Sequence, residues 1–108
     1  MAAIPSLAFS NQRHQKRYDL SVVVKVSLGH REISARTKDI SASGVGLAIS
    51  YVKPKAGEVV SILTEDFGIW RGKVQWVGGT GFGVLFDDAT QRKPELLQLI
   101  TRLAQQDA

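Results

Sequence analysis

Apolar and polar residues alternate between Leu20 and Leu28, and this period of two constrains the fold more than any other feature. Leucine or valine occupies every second position, serine and lysine fill most positions between them, and Val23 is the exception. Because successive side chains of a strand point to opposite faces, the pattern predicts a β-strand with one buried face. The chain must therefore supply partner strands and a core for that face.

Similar short segments follow, and turn residues separate them. Gly29-His30 predicts a hairpin turn, residues 54–57 a second turn, and residues 78–81 a loose hairpin. About six short strands with turns every 8 to 12 residues are typical of a small antiparallel barrel or sandwich. We therefore expect an all-β domain, with the strands within residues 20–87.

The aromatic and glycine-rich segments each allow two interpretations. Trp70, Val74 and Trp76 fall on one face of a predicted strand, which favours core packing over a base-stacking surface. Residues 78–83 contain a cluster of glycines, but a strand follows them. A dinucleotide-binding glycine loop needs a helix at that point, so we interpret the cluster as a hairpin.

The C-terminal segment changes to a helical period. Leu96, Ile100 and Leu103 recur at helical spacing, which predicts a helix over about residues 90–105. We expect Thr90 to cap its start, and Pro94 is acceptable in a first turn, where the amides lack partners. The apolar stripe can pack on the strands or on a second subunit, so a monomer and a dimer both remain open.

Composition excludes several kinds of chemistry. The 108 residues include no cysteine and two histidines, which disfavours a metal site, and no nucleophile, base and orienting group can be assembled into a catalytic set. The net charge of +4 suits an anionic partner. No apolar run reaches the roughly 18 residues that span a bilayer. We expect a cytoplasmic protein that is not an enzyme, does not insert into membranes and needs no cofactor.

Two short motifs stand out. The first contains Arg13 and Arg17, four residues apart in the densest basic run; the second contains Asp39, Ser41 and Gly44 between two predicted strands. In an extended segment the two arginines would point to the same side, roughly 13 Å apart, which suits two groups of one ligand. The second motif also suits a plain turn, since Asp and Ser bond to their own backbone there. Its glycine permits a positive φ or a close approach of another group.

The order and spacing of these motifs resemble the signature of PilZ domains, bacterial receptors for the second messenger cyclic di-GMP. The resemblance covers about residues 12–105. It implies a six-stranded antiparallel β-barrel with a C-terminal α-helix. Residues 1–11 mix Ala, Pro, Ser and Asn without a usable period, and we expect them to form a flexible N-terminal tail. The domain would then occupy residues 12–108, with the arginine motif at residues 13–17.

The resemblance also implies a ligand site for cyclic di-GMP. Arg13 and Arg17 are expected to pair with phosphate, bond to the guanine O6 and N7 edge, or stack on a base. Asp39 is expected to accept from the guanine N1–H and amino groups. Ser41 would bond to the ligand or fix the turn, and Gly44 would leave room for the base. Secondary contacts are expected from Gln12, His14 and Lys16.

A receptor of this kind would signal through an effector protein that the sequence does not identify, in motility, polysaccharide or virulence control. The alternative is a small basic β-barrel that binds RNA or single-stranded DNA, which the two motifs disfavour. A third interpretation is a structural adaptor that has kept both motifs without binding a ligand.

Overall fold

The computed structural model describes residues 16–48 and 53–107. They form seven strands followed by two helices, and the predicted N-terminal tail lies outside them. The strands are β1 (Tyr18–Asp19), β2 (Val23–Leu28), β3 (Arg31–Ile40), β4 (Gly44–Ala48), β5 (Val59–Leu63), β6 (Ile69–Val77) and β7 (Gly81–Phe86). The helices are α1 (Asp88–Gln91) and α2 (Pro94–Asp107). Within this described part, no helix combines the length and apolar character that crossing a membrane requires.

Six strands close into an antiparallel barrel and β1 is an extra strand, which confirms the predicted fold class. The strand order is β3-β2-β5-β6-β7-β4, and pairing of β4 with β3 closes the ring. Strand β1 lies in line with β2 along β3, where Tyr18 pairs with Ile40. The backbone N–H of Leu20 still donates to the carbonyl of Lys38. The predicted strand from residue 20 is thus interrupted before Val23.

The predicted hairpin turns are confirmed. Gly29 has φ +64° in the two-residue connection between β2 and β3. A residue with a side chain is strained in that conformation, which explains the glycine. Between β6 and β7, the backbone N–H of Gly78 donates to the carbonyl of Gly81 at 2.8 Å.

The barrel interior holds one hydrophobic core, built from the inward positions of the strands. Trp70 and Phe82 are completely buried, and Phe67 stacks on Trp70 with ring centroids 6.4 Å apart. Thr37 is also buried, but its hydroxyl donates to the carbonyl of Leu20 and accepts from the N–H of Val22. Burial of each large apolar side chain contributes about 1.5–3 kcal/mol. The remaining buried apolar side chains of the strands belong to Val24, Val26, Leu28, Ala35, Ile40, Val45, Leu47, Val60, Ile62, Val74, Val84 and Phe86.

The C-terminal segment is helical as predicted, but it consists of two helices. The prediction that Thr90 caps the start is wrong, because Asp87 is the N-cap of α1 and accepts from the backbone N–H of Thr90. Pro94 begins α2, where its missing N–H costs nothing. Leu96 and Leu99 of α2 are buried in the same cluster as the barrel residues. The apolar stripe therefore packs on the barrel.

Candidate functional site

The carboxylate of Asp39 lies near the end of β3, between two neighbouring strands. Asp39 pairs with Asp19 of β1 on one side and with Gly46 of β4 on the other. A Cβ atom at Gly46 would lie 2.8 Å from Oδ1 of Asp39, so this glycine leaves the space that the carboxylate occupies. The prediction that Asp39 belongs to the turn is wrong, since β3 continues to Ile40.

Arg17 precedes β1 and contacts this carboxylate. Its Nε and Nη2 atoms donate to Oδ1 of Asp39 at 3.0 and 2.6 Å, and its Nη1 atom donates to Oγ of Ser41 at 3.5 Å. The pairing of Tyr18 with Ile40 explains the position, because it sets Arg17 beside Ser41. The two ion-paired side chains are 48% and 38% exposed, so the pair contributes about 0–1 kcal/mol to stability. A ligand can compete with an interaction of that size.

Ser41 holds the turn between β3 and β4. Its backbone N–H donates to the carbonyl of Gly44 at 2.8 Å, and its Oγ accepts from the N–H of Ser43 at 3.3 Å. The residue is 1% exposed. Of the two expected roles, fixing the turn is the one that these contacts perform, and the same hydroxyl also receives the guanidinium of Arg17.

Gly44 lies so close to the neighbouring strand β7 that a side chain would not fit. It does not have a positive φ. A Cβ atom there would lie 2.5 Å from the carbonyl oxygen of Val84, so a side chain would push β4 away from β7. Of the two reasons that the sequence left open for this glycine, the close approach is correct. The expected role in leaving room for a base stays a prediction.

Trp76 lies on the outside of the barrel. The prediction that Trp70, Val74 and Trp76 share a buried face is correct for the first two and wrong for Trp76, which is 48% exposed. The register of β6 against β7 shifts between Val74 and Trp76, and this bulge turns the indole outward. The adjacent apolar residues Trp76 and Val77 break the alternation, which is the sequence signal that could have revealed it.

The outward positions of β4 and β7 beside Trp76 carry almost no side chains. On both strands, the residues that alternate with the buried core positions are glycines near the site. We call these four residues the glycine floor: Gly44 and Gly46 on β4, and Gly81 and Gly83 on β7. All four glycines are buried, and the side chains of Asp39 and Trp76 occupy the space that side chains at Gly46 and Gly83 would fill.

Backbone pairing aligns Asp39, Gly46, Gly83 and Trp76 in one row across β3, β4, β7 and β6. Since adjacent strands lie about 4.8 Å apart, the ends of this row are roughly 14 Å apart. The indole of Trp76 lies over Gly83, where a Cβ atom would collide with its Nε1 atom. The carboxylate thus covers Gly46 and the indole covers Gly83, and these two glycines pair with each other across β4 and β7.

A cleft of about 140 Å³ opens beside this row. Ligand pockets usually measure about 300–1,000 Å³, so a ligand of that size would extend from this cleft onto the surface. Sequence analysis identified two of its lining residues, Arg17 and Gly44. It missed Ser43, Gln75 and Trp76, which join them only through the turn and the bulge.

Four further predicted residues have no assigned position in this site. Gln12, Arg13 and His14 lie outside the described residues. Lys16 is exposed, and its ammonium group lies 5.8 Å from the centroid of the Tyr18 ring. Their contacts with a ligand stay predictions.

The acidic side chains that the structure describes form no metal site, and one of them, Asp87, caps a helix. No group of three or more His, Asp or Glu side chains within residues 16–48 and 53–107 could hold a metal ion. The pKa of Asp87 is lowered, first because the backbone N–H of Thr90 donates to its carboxylate and then because the Thr90 hydroxyl does so. Arg71 and Lys93 lower that pKa further. This carboxylate caps α1 and is not one of the cleft residues.

The family model of the PilZ domain matches residues 11–104. The chain belongs to the PilZ domain family. The match includes both sequence motifs and all seven strands, so the arginine, the carboxylate and the glycine floor are all part of the PilZ domain. A search of curated protein sequences finds no match to the chain.

Solved PilZ structures share the fold at low sequence identity. The PilZ domain of CeSA from a cellulose-synthesizing bacterium is 22% identical, with a TM-score of 0.66, over 82% of this chain and 98% of that one. The PilZ domain of YcgR from Escherichia coli, solved with cyclic di-GMP, is 14% identical, with a TM-score of 0.63, over 89% and 94%. PlzA from Borreliella burgdorferi, in complex with cyclic di-GMP, is 16% identical, with a TM-score of 0.66, over 90% of this chain and 44% of PlzA.

Proposed function

We propose that this PilZ domain is a receptor for cyclic di-GMP, with the dinucleotide lying across the glycine floor between Asp39 and Trp76. The YcgR PilZ domain and PlzA, which share the fold, were both solved with this ligand. The observation that carries the proposal is the single row formed by an arginine-bound carboxylate, two glycines and an exposed indole.

Asp39 is the proposed acceptor for a guanine edge. Both donating atoms of Arg17 use its Oδ1 atom, and Oδ2 accepts no hydrogen bond from another described residue. The guanine edge presents two donors, N1–H and the amino group, which match the two oxygens of a carboxylate. Binding of a guanine would therefore share or displace the Arg17 contact. The released guanidinium can then pair with phosphate bidentately.

Trp76 is the proposed stacking surface for a base. One face of its indole lies over the backbone of Gly83, and the side chain is 48% exposed. Stacking of a base on an aromatic side chain contributes about 1–3 kcal/mol. Because the ring lies against a glycine, a base can stack on its open face without meeting a side chain from that strand.

The other arginine of the motif, Arg13, is proposed to contact the same ligand from the segment before Arg17. Lys16, His14 and Gln12 are proposed as secondary contacts. Their charges and donors suit two phosphates and two bases, which extend beyond the small cleft.

The receptor is proposed to act in the bacterial cytoplasm and to signal to an effector protein in motility, polysaccharide or virulence control. The fold shared with MotI, an inhibitor of motility from Bacillus subtilis, supports motility among these pathways. We propose no catalytic role. Both the pathway and the effector stay predictions.

A second candidate function is binding of RNA or single-stranded DNA. The exposed Trp76 beside Arg17 favours it, because aromatic and basic groups together bind unpaired bases. The salt dependence separates the two functions. A nucleic-acid binder loses affinity steeply as salt rises, whereas a dinucleotide makes far fewer phosphate contacts.

Titration calorimetry of the full chain with cyclic di-GMP tests the proposal. We expect saturable binding at a defined stoichiometry and no binding of GMP at the same concentration. An unlabelled oligonucleotide competitor should not displace the dinucleotide. Absence of binding at high micromolar ligand, with the protein shown to be folded, would contradict the proposal, and steeply salt-dependent binding of oligonucleotides would favour the second candidate.

A further inference from the structure

A strip of exposed aliphatic residues lies on the outside of β5 and β6. Val59, Leu63 and Ile69 are 65%, 40% and 38% exposed. Leu63 pairs directly with Ile69 across the two strands, and Val59 lies on the same face of β5, two outward positions away. Leu63 and Ile69 form an apolar pair, and Ser61 separates this pair from Val59 on the same face.

A groove of about 450 Å³ runs beside this strip. Val59, Lys73 and Leu85 line it, and Gly72 contributes only backbone. The groove is mostly apolar, and it ends where β7 meets α1. Leu85 also lines the small cleft of the ligand site, so both depressions share that side chain.

Basic residues alternate with the aliphatic ones on this face. Arg71 and Lys73 are exposed outward positions of β6, and neither forms an ion pair with another described residue. Lys25 of β2 pairs with Leu63 and extends the same row, although Glu32 lies 3.8 Å from its ammonium group. We call this set the outer β5–β6 face: Val59, Leu63, Ile69, Arg71, Lys73 and Lys25.

Asp87 lies beside Arg71, because its backbone N–H donates to the carbonyl of Arg71, and the two charges interact. Lys73 and Lys25 therefore carry most of the positive charge of this face. Asp87 and Asp88 line the groove together with Arg71 and Lys73. The Asp87 carboxylate accepts from the backbone N–H of Thr90 at 2.8 Å, so it is held at the start of α1. The outward positions of β5 and β6 themselves carry no acidic residue.

We propose that the outer β5–β6 face binds an acidic segment of a protein partner. Its apolar side chains would pack on Val59, Leu63 and Ile69, while its carboxylates would pair with Lys73 and Lys25. Opposite charge favours this partner, and the aliphatic character favours protein over nucleic acid, since bases stack on aromatic rings. Strands β5 and β6 already pair on both edges, so the contact uses side chains and not strand addition. The proposal does not depend on the binding of cyclic di-GMP.

The test uses the full chain and a fluorescein-labelled peptide of about twelve residues, in which glutamate alternates with leucine or valine. A matched peptide has glutamine at every glutamate position. Fluorescence anisotropy measures both affinities, and ¹⁵N amide shifts locate the contact. We expect the acidic peptide to bind about tenfold more tightly than the glutamine peptide, with the shifts on β5 and β6.

Two charge reversals distinguish peptide binding at this face from a nonspecific effect of the protein's net charge. Lys73→Glu should weaken binding of the acidic peptide about tenfold, whereas Arg102→Glu on the exposed side of α2 should change it less than about twofold. Val59→Ser provides a variant without charge change and should also weaken binding. Thermal melts of all three check that they fold.

Several outcomes would overturn the proposal. Equal losses in Lys73→Glu and Arg102→Glu would show an effect of net charge alone. Equal affinity for the two peptides, no binding at millimolar peptide, or shifts on another face would also refute it. Concentration-dependent dimers that Val59→Ser disperses would assign the face to a second copy of the chain. Binding of vesicles containing phosphatidylserine, in the absence of peptide binding, would assign it to membrane lipids.

Discussion

Replacement of Gly83 by alanine should separate ligand binding from stability. The new methyl group would collide with Nε1 of the Trp76 indole, so the ring must leave its position over β7. Because that indole is 48% exposed, it can rotate into water without opening the core. We therefore expect a change of less than about 1 kcal/mol in the free energy of unfolding, the range of ordinary surface substitutions and small rearrangements.

The expected effect of Gly83→Ala on binding is larger. Loss of one base-stacking contact costs about 1–3 kcal/mol, which corresponds to roughly 5- to 150-fold weaker binding of cyclic di-GMP. Titration calorimetry measures the affinity, and urea denaturation measures the free energy of unfolding. Trp76→Ala removes the ring itself and should reproduce the loss.

Gly72→Ala provides a matched control for the effect of Gly83→Ala on stability. At Gly72, a Cβ atom would collide with the backbone carbonyl oxygen of Leu85, which cannot rotate away. Gly72→Ala should therefore lower the free energy of unfolding by about 1–3 kcal/mol, as overpacking does. If Gly83→Ala destabilised the protein as strongly as Gly72→Ala, or left the affinity unchanged, the assigned role of the indole would be wrong.

Three further substitutions test other contacts. Arg17→Ala should weaken binding of cyclic di-GMP by about 1.5–3 kcal/mol, typical of a lost charged hydrogen bond. It should change the free energy of unfolding by less than about 1 kcal/mol, because the ion pair is exposed. Unaltered affinity in calorimetry would refute this. Gly46→Ala should displace the Asp39 carboxylate and weaken binding while a melting curve shows the barrel intact; wild-type affinity would refute this. Asp87→Ala should lower stability by about 1 kcal/mol at neutral pH, whereas Asp87→Asn keeps the cap. The folded pKa of Asp87 is lowered, so its stabilisation is present above the unfolded pKa of about 3.9 and disappears as pH falls through the folded value. In urea titrations Asp87→Asn should lose less stability below about pH 4 than the wild type; equal loss would refute the assignment.

The alternation of residues predicted the strands because each strand has one face in the core. It failed at Trp76, where a single shift of register reverses the face of every residue that follows. It also assigned Asp39 to a turn, because the pattern of one segment does not show that β3 continues between two partner strands. The partner strands, and not the local composition, determine that Trp76 points outward and that Asp39 lies within a strand.

The two motifs identified Arg17, Asp39 and Ser41, and the structure brings these three side chains into contact. The glycine floor could not be found in the same way, because it depends on the register of β4 against β7. The repeated pattern of glycine, apolar residue and glycine in both strands is the local sign of it. A single glycine, apolar residue and glycine pattern is explained more simply by a turn, so only the two patterns together indicate the floor.

The indole N–H resonance of Trp76 provides the most direct measurement of the central claim. The chain has two tryptophans, and Trp70 is completely buried inside the barrel. In a ¹H–¹⁵N titration with cyclic di-GMP, the Trp76 indole signal should shift saturably while the Trp70 signal stays nearly constant, and GMP should shift neither. Saturable binding in calorimetry with an unmoved Trp76 signal would contradict the account, because the ligand would then lie away from the glycine floor.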